Sequence, residues 1–244
     1  AMQYGQQRLA KEVQQLAQTL SAEFAEPIIL VSFVRAGVPL GVLLYHALQD
    51  LGRDCVHYGI SIIRDRGIEF AALETIIAKH GHQSLVFVDG WTGKGAIQKE
   101  LQRSLADDPR FIDRPLPLVV LSDIGGCAWL AASGEDWLIP SGVLGSTISG
   151  LISRSICENE ALQFNEIEES NLGQWHGCVE YNHLKAFDMS QSFIKQINQI
   201  RRELPSEKNA VWTSAQQQLQ RQRSQAVVKQ LAEHYQITNI NRIK

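Results

Sequence analysis

A short run, Leu85-Val86-Phe87-Val88, meets an acid, Asp89, and soon after it the turn Thr92-Gly93-Lys94-Gly95. The run is apolar and partly β-branched, as a buried strand is. A helical pattern begins at Ala96 and continues through Leu101 to Leu105. Strand, glycine-rich turn and helix start together make an anion site, because backbone N–H groups converge where the helix dipole is positive. Thr92 can add a hydroxyl donor and Lys94 a point charge. The spacing is neither Gly-x4-Gly-Lys-Ser/Thr nor Gly-x-Gly-x-x-Gly, so neither common nucleotide fingerprint applies.

Four further stretches carry groups of the same kind. Ile28 to Phe33 reads as a buried strand and runs into Arg35-Ala36-Gly37, where the arginine suits bidentate phosphate contacts. Arg64-Asp65-Arg66-Gly67 follows a looser strand pattern over Cys55–Ile63 and could clamp a polyanion. Pro117 to Ser122 reads as another strand and ends in Asp123-Ile124-Gly125-Gly126-Cys127. Residues 140–156 are rich in Ser, Gly and Thr, with one charge, Arg154; Ser141, Ser146, Thr147 and Ser149 offer hydroxyls there.

Thiol chemistry is the other possibility that residue types raise. A Cys–His pair is the minimum for a thiol nucleophile. His176 and Cys178 would share one face of a strand, and His183 could reach Cys178 if the chain turns back. Cys127 is a second candidate. The bland reading of such a cysteine is a small buried hydrophobe.

The elements that must hold these groups follow from periodicity. Residues 3–25 repeat Leu9, Val13, Leu16, Leu20 and Phe24, an amphipathic helix that Pro27 closes. Helices are expected after the first strand through Leu44 and Leu48, from Ile68 to His80, and from Ala96 to about Ala106. Ala128 to Ser133 reads as a short helix and Trp137 to Pro140 as a fifth strand. Phe193, Ile194, Ile197 and Ile200 mark another helix, and residues 207–235 a long glutamine-rich one. Strands alternating with helices imply an α/β fold with a doubly wound, mainly parallel sheet. The division expected is a helix over 1–25, an α/β core over 26–190 and a helical extension over 191–244.

These motifs resemble type I phosphoribosyltransferases: an apolar strand, an acid, and a Thr-Gly turn. Gly90 stands where that family carries its second acid, the spacer is about two residues short, and Trp91 precedes Thr92. With Asp123-Ile124-Gly125-Gly126 and the Ser/Gly segment, the chain resembles the phosphoribosyltransferases found beside tellurite-resistance and stress genes, sometimes labelled StiP-like. The label "cysteine protease" is also attached to that group. The resemblance implies displacement of pyrophosphate from phosphoribosyl pyrophosphate, with Mg2+ as cofactor. Thr92, Gly93, Lys94 and Gly95 would hold the 5′-phosphate, and Asp89 a ribose hydroxyl and the magnesium. Arg35, Ala36, Gly37 and Arg64 would hold the pyrophosphate. Asp123, Gly125, Gly126, Ser141, Ser146 and Thr147 would face the base. The alternatives are a non-catalytic nucleotide-binding regulator and, third, a cysteine hydrolase using Cys178 or Cys127.

Composition bounds the rest. The chain has 244 residues, 44% hydrophobic and 20% charged, with a net charge of −3. Residues 107–180 carry twelve acids against three arginines, which disfavours a nucleic-acid surface there; residues 201–244 carry eight Lys or Arg against three Glu. Cys55, Cys127, Cys157 and Cys178 lack paired Cys-x-x-Cys spacing, so no zinc or disulfide framework is signalled. No run suits a membrane span and no leader is visible, so a cytoplasmic protein with reduced thiols is expected. Ala1-Met2 reads as an added remnant. A homodimer and a further C-terminal domain are left open.

Overall fold

The computed structural model describes residues 2–63, 65–112, 114–143, 151–157, 177–205 and 214–236. Among them, the main sheet is built from β1 (Ile28–Phe33), β2 (Cys55–Ile60), β5 (Leu85–Val88), β6 (Trp91–Thr92), β7 (Leu118–Asp123) and β8 (Leu130–Ser133). The order is β2-β1-β5-β7-β6, with β8 paired to β7. Every pairing in this sheet is parallel. The antiparallel pairs belong to two small ribbons, β3 (Ile62–Ile63) with β4 (Gly67–Ile68), and β9 (Ile152–Cys157) with β10 (Gly177–Glu180).

Parallel strands are covered on both faces, which makes them near-continuous apolar runs. All six residues of β1 are buried. Its side chains alternate between two cores, as the period of two demands. Ile28 and Leu30 join Leu9, Leu16, Leu40, Leu44, Phe193 and Ile197 on one face. Ile29, Val31 and Phe33 join Leu73, Ile76, Leu101 and Phe111 on the other. The first core is closed by α1 (Met2–Glu23), α2 (Gly37–Asp50) and α6 (Ser190–Glu203); the second by α3 (Phe70–His80) and α4 (Ala96–Ser104). The result is a mixed α/β protein with a mainly parallel sheet between helical layers. Each fully buried Leu, Ile or Phe contributes about 1.5–3 kcal/mol.

Two expected elements change type. Leu130–Ser133 is a strand, not a helix: it pairs with β7 at Val119↔Leu130, Val120↔Ala131 and Ser122↔Ser133. Small residues permit either state, and a vacant sheet edge decides it. Trp137–Pro140 is not a strand. Trp137 stacks under the Arg8 guanidinium at 4.5 Å, Ile139 is buried in the first core, and Pro140 opens the short helix α5 (Pro140–Val143). The strand expected over Cys55–Ile63 is interrupted after Ile60. Ile62 and Ile63 pair with β4, and this hairpin is pinned to α4 by Asp65 N–H to Glu100 Oε2 (3.1 Å) and Ile68 N–H to Ser104 Oγ (3.2 Å).

No described helix is long and apolar enough to cross a membrane. The last described helix, α7 (Ser214–His234), leaves Leu219, Val227 and Leu231 exposed, and Gln225 Nε2 donates to the carbonyl of Gly126 at 3.5 Å.

Candidate functional site

The carboxyl ends of neighbouring parallel strands define the ligand crevice of an open α/β sheet. Here three turns leave that edge. The turn after β1 contains Arg35 and Ala36, the turn after β6 contains Gly93, Lys94 and Gly95, and the turn after β7 contains Ile124 to Trp129. Asp89 does not end its strand at the rim. Pairing with β7 resumes beyond it at Trp91↔Ser122 and Thr92↔Asp123. Asp89 therefore sits in a break between β5 and β6, buried, with its Oδ1 accepting the N–H of Gly90 at 2.8 Å.

Close backbone packing joins the three turns. A Cβ at Gly37 would stand 2.1 Å from the carbonyl oxygen of Val88. A Cβ at Gly125 would stand 2.0 Å from that of Gly93. A Cβ at Gly90 would stand 3.1 Å from the Ala36 carbonyl oxygen, a tight contact that a side chain there would relieve only by a small shift of the first turn. Gly95 has φ +75°, a left-handed conformation that glycine adopts freely, and it caps α4 without a side-chain cap hydrogen bond. The first intrahelical bond of α4 runs from Lys99 N–H to Gly95 O. The N–H groups ahead of it point toward the turn at the positive end of the helix.

Cys127 sits on this spot. Its Sγ lies 2.6 Å from where a Cβ of Gly95 would be, and it contacts the Gly125 carbonyl at 3.3 Å. The residue is half-buried and carries a thiol. Its position is set by Asp123, which is buried at the end of β7. Asp123 Oδ1 accepts the Cys127 N–H at 2.8 Å and the Thr92 hydroxyl, and Oδ2 accepts the Ala128 N–H at 3.0 Å. Ile124 N–H to Thr92 O, 3.1 Å, adds a second link between the two turns.

The structure thus brings together Asp89, Thr92, Gly93, Lys94, Gly95, Ala36, Gly37, Asp123, Gly125 and Gly126, with Arg35 on the neighbouring turn. It turns two of them inward. Thr92 and Asp123 are buried and bonded to each other rather than aimed at a ligand. Ser141 lies on α5, where Pro140 meets Gly5 of α1. Arg64, Ser146, Thr147 and His176 lie outside the described residues. Among the described residues, no group of three or more His, Cys, Asp or Glu could hold a metal ion.

The other cysteines and histidines divide clearly. Cys55 is buried, donates to the Tyr45 carbonyl at 3.6 Å, and burial pushes its thiol up to about 11, far from a nucleophile's range. Cys157 and Cys178 lie on the β9–β10 ribbon. His57 bonds Ser32 Oγ at 2.8 Å, and burial lowers its ring to about 4, so it is neutral. Sequence reasoning gave Cys127 only a subordinate place and missed the role of Asp123. The available signal was an acid at a strand end with Gly125-Gly126 shortly after it, a turn flexible enough to curl the N–H groups of Cys127 and Ala128 back to the carboxylate.

The sheet, the crevice and a thiol at a helix start define an α/β protein equipped for an anionic or nucleophilic centre. A family model described as "Tellurite-like stress resistance cysteine protease StiP" matches residues 1–198, and the chain belongs to that family. A relative from Acinetobacter baylyi, named Cysteine protease StiP, is 76% identical over 244 residues. The alignment covers all of this chain and 64% of that protein, so the chain spans a little under two thirds of its relative's length. Among solved structures, a hypoxanthine phosphoribosyltransferase from Trypanosoma cruzi in complex with the product IMP aligns at TM-score 0.40 and 13% identity, over 55% of this chain and 79% of that one. A mutant form of that enzyme, also with IMP, aligns at TM-score 0.39 and 14% identity, over 80% and 89%. A likeness this distant carries no chemistry across.

The expectation of a phosphoribosyltransferase is therefore corrected. The family description and the 76% identical relative both name a cysteine protease, a hydrolase and not a glycosyltransferase. The stress and tellurite part of the expectation agrees with the family description, and the third alternative, a cysteine hydrolase, agrees with the names of both the family and the relative.

Proposed function

We propose that this chain carries a thiol hydrolase acting on peptide bonds, with Cys127 as its nucleophile. The observation that supports this is the placement of Cys127 Sγ against Gly95, the N-terminal cap of α4. A helix N-terminus favours a thiolate over a thiol. The N–H groups of the first turn, which have no intrahelical acceptor, also suit the oxyanion of a tetrahedral intermediate. In this reading the thiolate adds to the scissile carbonyl carbon. The C–N bond then breaks as the leaving amine takes a proton, and water hydrolyses the thioester. The sequence supplies His176 and His183 on either side of β10 as candidates to carry that proton.

The test is hydrolysis of a fluorescently labelled unfolded protein by the wild-type chain, Cys127→Ser, Cys178→Ser, His176→Ala and His183→Ala. Loss of a nucleophile leaves only binding and oxyanion stabilisation, so Cys127→Ser is expected to fall by about a thousandfold or more. Cys178→Ser should stay near wild type. The reverse pattern would move the nucleophile to β10, and full activity in both would end the thiol reading.

A further inference from the structure

Asp123 was expected to face a ligand, and its geometry gives it a different task. Both carboxylate oxygens are turned into the protein. They accept three donors from two separate segments, the end of β6 and the turn after β7: the Thr92 hydroxyl, the Cys127 N–H and the Ala128 N–H. Thr92 belongs to the strand that feeds the α4 start, and Cys127 to the turn that lies against it. We infer that Asp123 and Thr92 form a clamp that positions Cys127 over the N-terminus of α4. The inference rests on Cys127 being the nucleophile, and Asp123 is a positioning residue, since it reaches the sulfur only through the Cys127 backbone.

The physical case has two parts. The stabilisation a helix N-terminus gives an anion falls off within the first turn, so a small displacement of the sulfur loses most of it. Gly125 and Gly126 precede the cysteine and offer no side chain, so this turn is held by backbone contacts, Ile124 N–H to Thr92 O and Gly125 against the Gly93 carbonyl, and by the Asp123 carboxylate on the N–H groups of Cys127 and Ala128. The carboxylate's own charge, by contrast, opposes a nearby thiolate. Clamp and charge therefore act with opposite signs, and substitution can separate them.

The experiment is the rate of Cys127 alkylation by iodoacetamide from pH 5 to 10, with the modified residue located by mass. Thr92→Val keeps the shape and the Asp123 charge but removes the hydroxyl donor. It is expected to slow alkylation at pH 7 by about tenfold and to move the midpoint of the profile to higher pH, with rates converging where any thiol is ionised. Thr92→Ser keeps a hydroxyl and should restore the wild-type profile. Asp123→Asn removes the opposing charge, so a charge effect alone would speed alkylation; the clamp predicts slowing. In the hydrolysis assay both Thr92→Val and Asp123→Asn should lower kcat with KM unchanged. A purely structural contact would lower thermal stability without moving the pH profile, and that result, or faster alkylation in Asp123→Asn, would overturn the clamp. Retained hydrolysis in Cys127→Ser would instead remove the nucleophile assignment and leave the alkylation profiles as they stand, so the two failures are distinguishable.

Discussion

Glu12 shows how far a single side chain can depart from what its type suggests. It lies on α1 with 8% of its side chain exposed, and Arg8 Nε donates to its Oε1 at 2.7 Å. Its Oε2 is buried with no hydrogen-bond partner among the described residues. Arg8 is shared with Ser133, Glu135 and the face of Trp137. Burial therefore outweighs the single ion pair, and the Glu12 carboxyl is pushed up from about 4.5 to about 7. The sign follows from proton counting. Between pH 4.5 and 7 the unfolded chain has released this proton and the native one keeps it, so stability falls as pH rises through that window. The full effect is about 3 kcal/mol at 1.36 kcal/mol per pH unit. Glu12→Gln should remove it. Urea midpoints at pH 5 and pH 8 should show the variant gaining on wild type by roughly that amount, and a constant gap would mean Glu12 is ionised throughout. None of this was legible in the sequence, where residues 3–25 showed an amphipathic helix and no chemistry. Cys127, Thr92 and Asp123 were legible as chemically able residues. What sequence cannot show is which way a carboxylate at a strand end faces, because that depends on how the following turn curls back and on the hydroxyl that a neighbouring strand brings to it.

At the scale of elements, the apolar runs decided most of the fold. β1 and β5 came from uninterrupted buried strands and α1 from a three- and four-residue repeat, each a local signal strong enough to survive packing. Leu130–Ser133 failed because its state depends on the free edge of β7, about which the four residues carry no information. One tight backbone junction between elements is α2 against β5. Gly37 starts α2, and its missing Cβ lets the helix meet the Val88 carbonyl and the Asp89 backbone. Gly37→Ala would place a methyl 2.1 Å from that oxygen, where backbone and not a flexible side chain must yield. The expected cost is about 1–3 kcal/mol of stability, read as a lower denaturant midpoint. The same shift would widen the crevice between the first two turns. A Gly37→Ala protein with unchanged stability would show that α2 slides along the sheet without resistance.

Across the whole molecule, the first helix and the one that follows Met189 close one core from opposite ends of the sequence. Phe193 and Ile197 of α6 share that core with Leu9 and Leu16 of α1. A buried polar group fastens the same junction. Arg201, 4% exposed, donates to Gln14 on α1 at 3.0 Å, to Asn198 on its own helix at 3.3 Å and to Asp50 at the end of α2. Arg202 Nε reaches the same Asp50 at 2.8 Å, and Asn198 meets His46 Nδ1 at 2.7 Å. The Arg202 bond, with that of Arg201, holds the Asp50 carboxyl below its ordinary range despite partial burial. Stability from this group is thus present above the ordinary carboxylate range and is lost as pH falls through the lowered value. Arg201→Met keeps the bulk in the core and removes the node. Because Asp50 retains Arg202, the cost should lie near the lower end for breaking a buried pair, about 2–3 kcal/mol. The informative readout is hydrogen exchange measured helix by helix. If Arg201 ties three elements into one unit, exchange in α1, the end of α2 and α6 should quicken together while β1 and β5 stay protected. Faster exchange in α6 alone would make it a helix laid on a finished domain, held by the apolar contact through Phe193 and Ile197 together with the remaining Arg202–Asp50 and Asn198–His46 bonds.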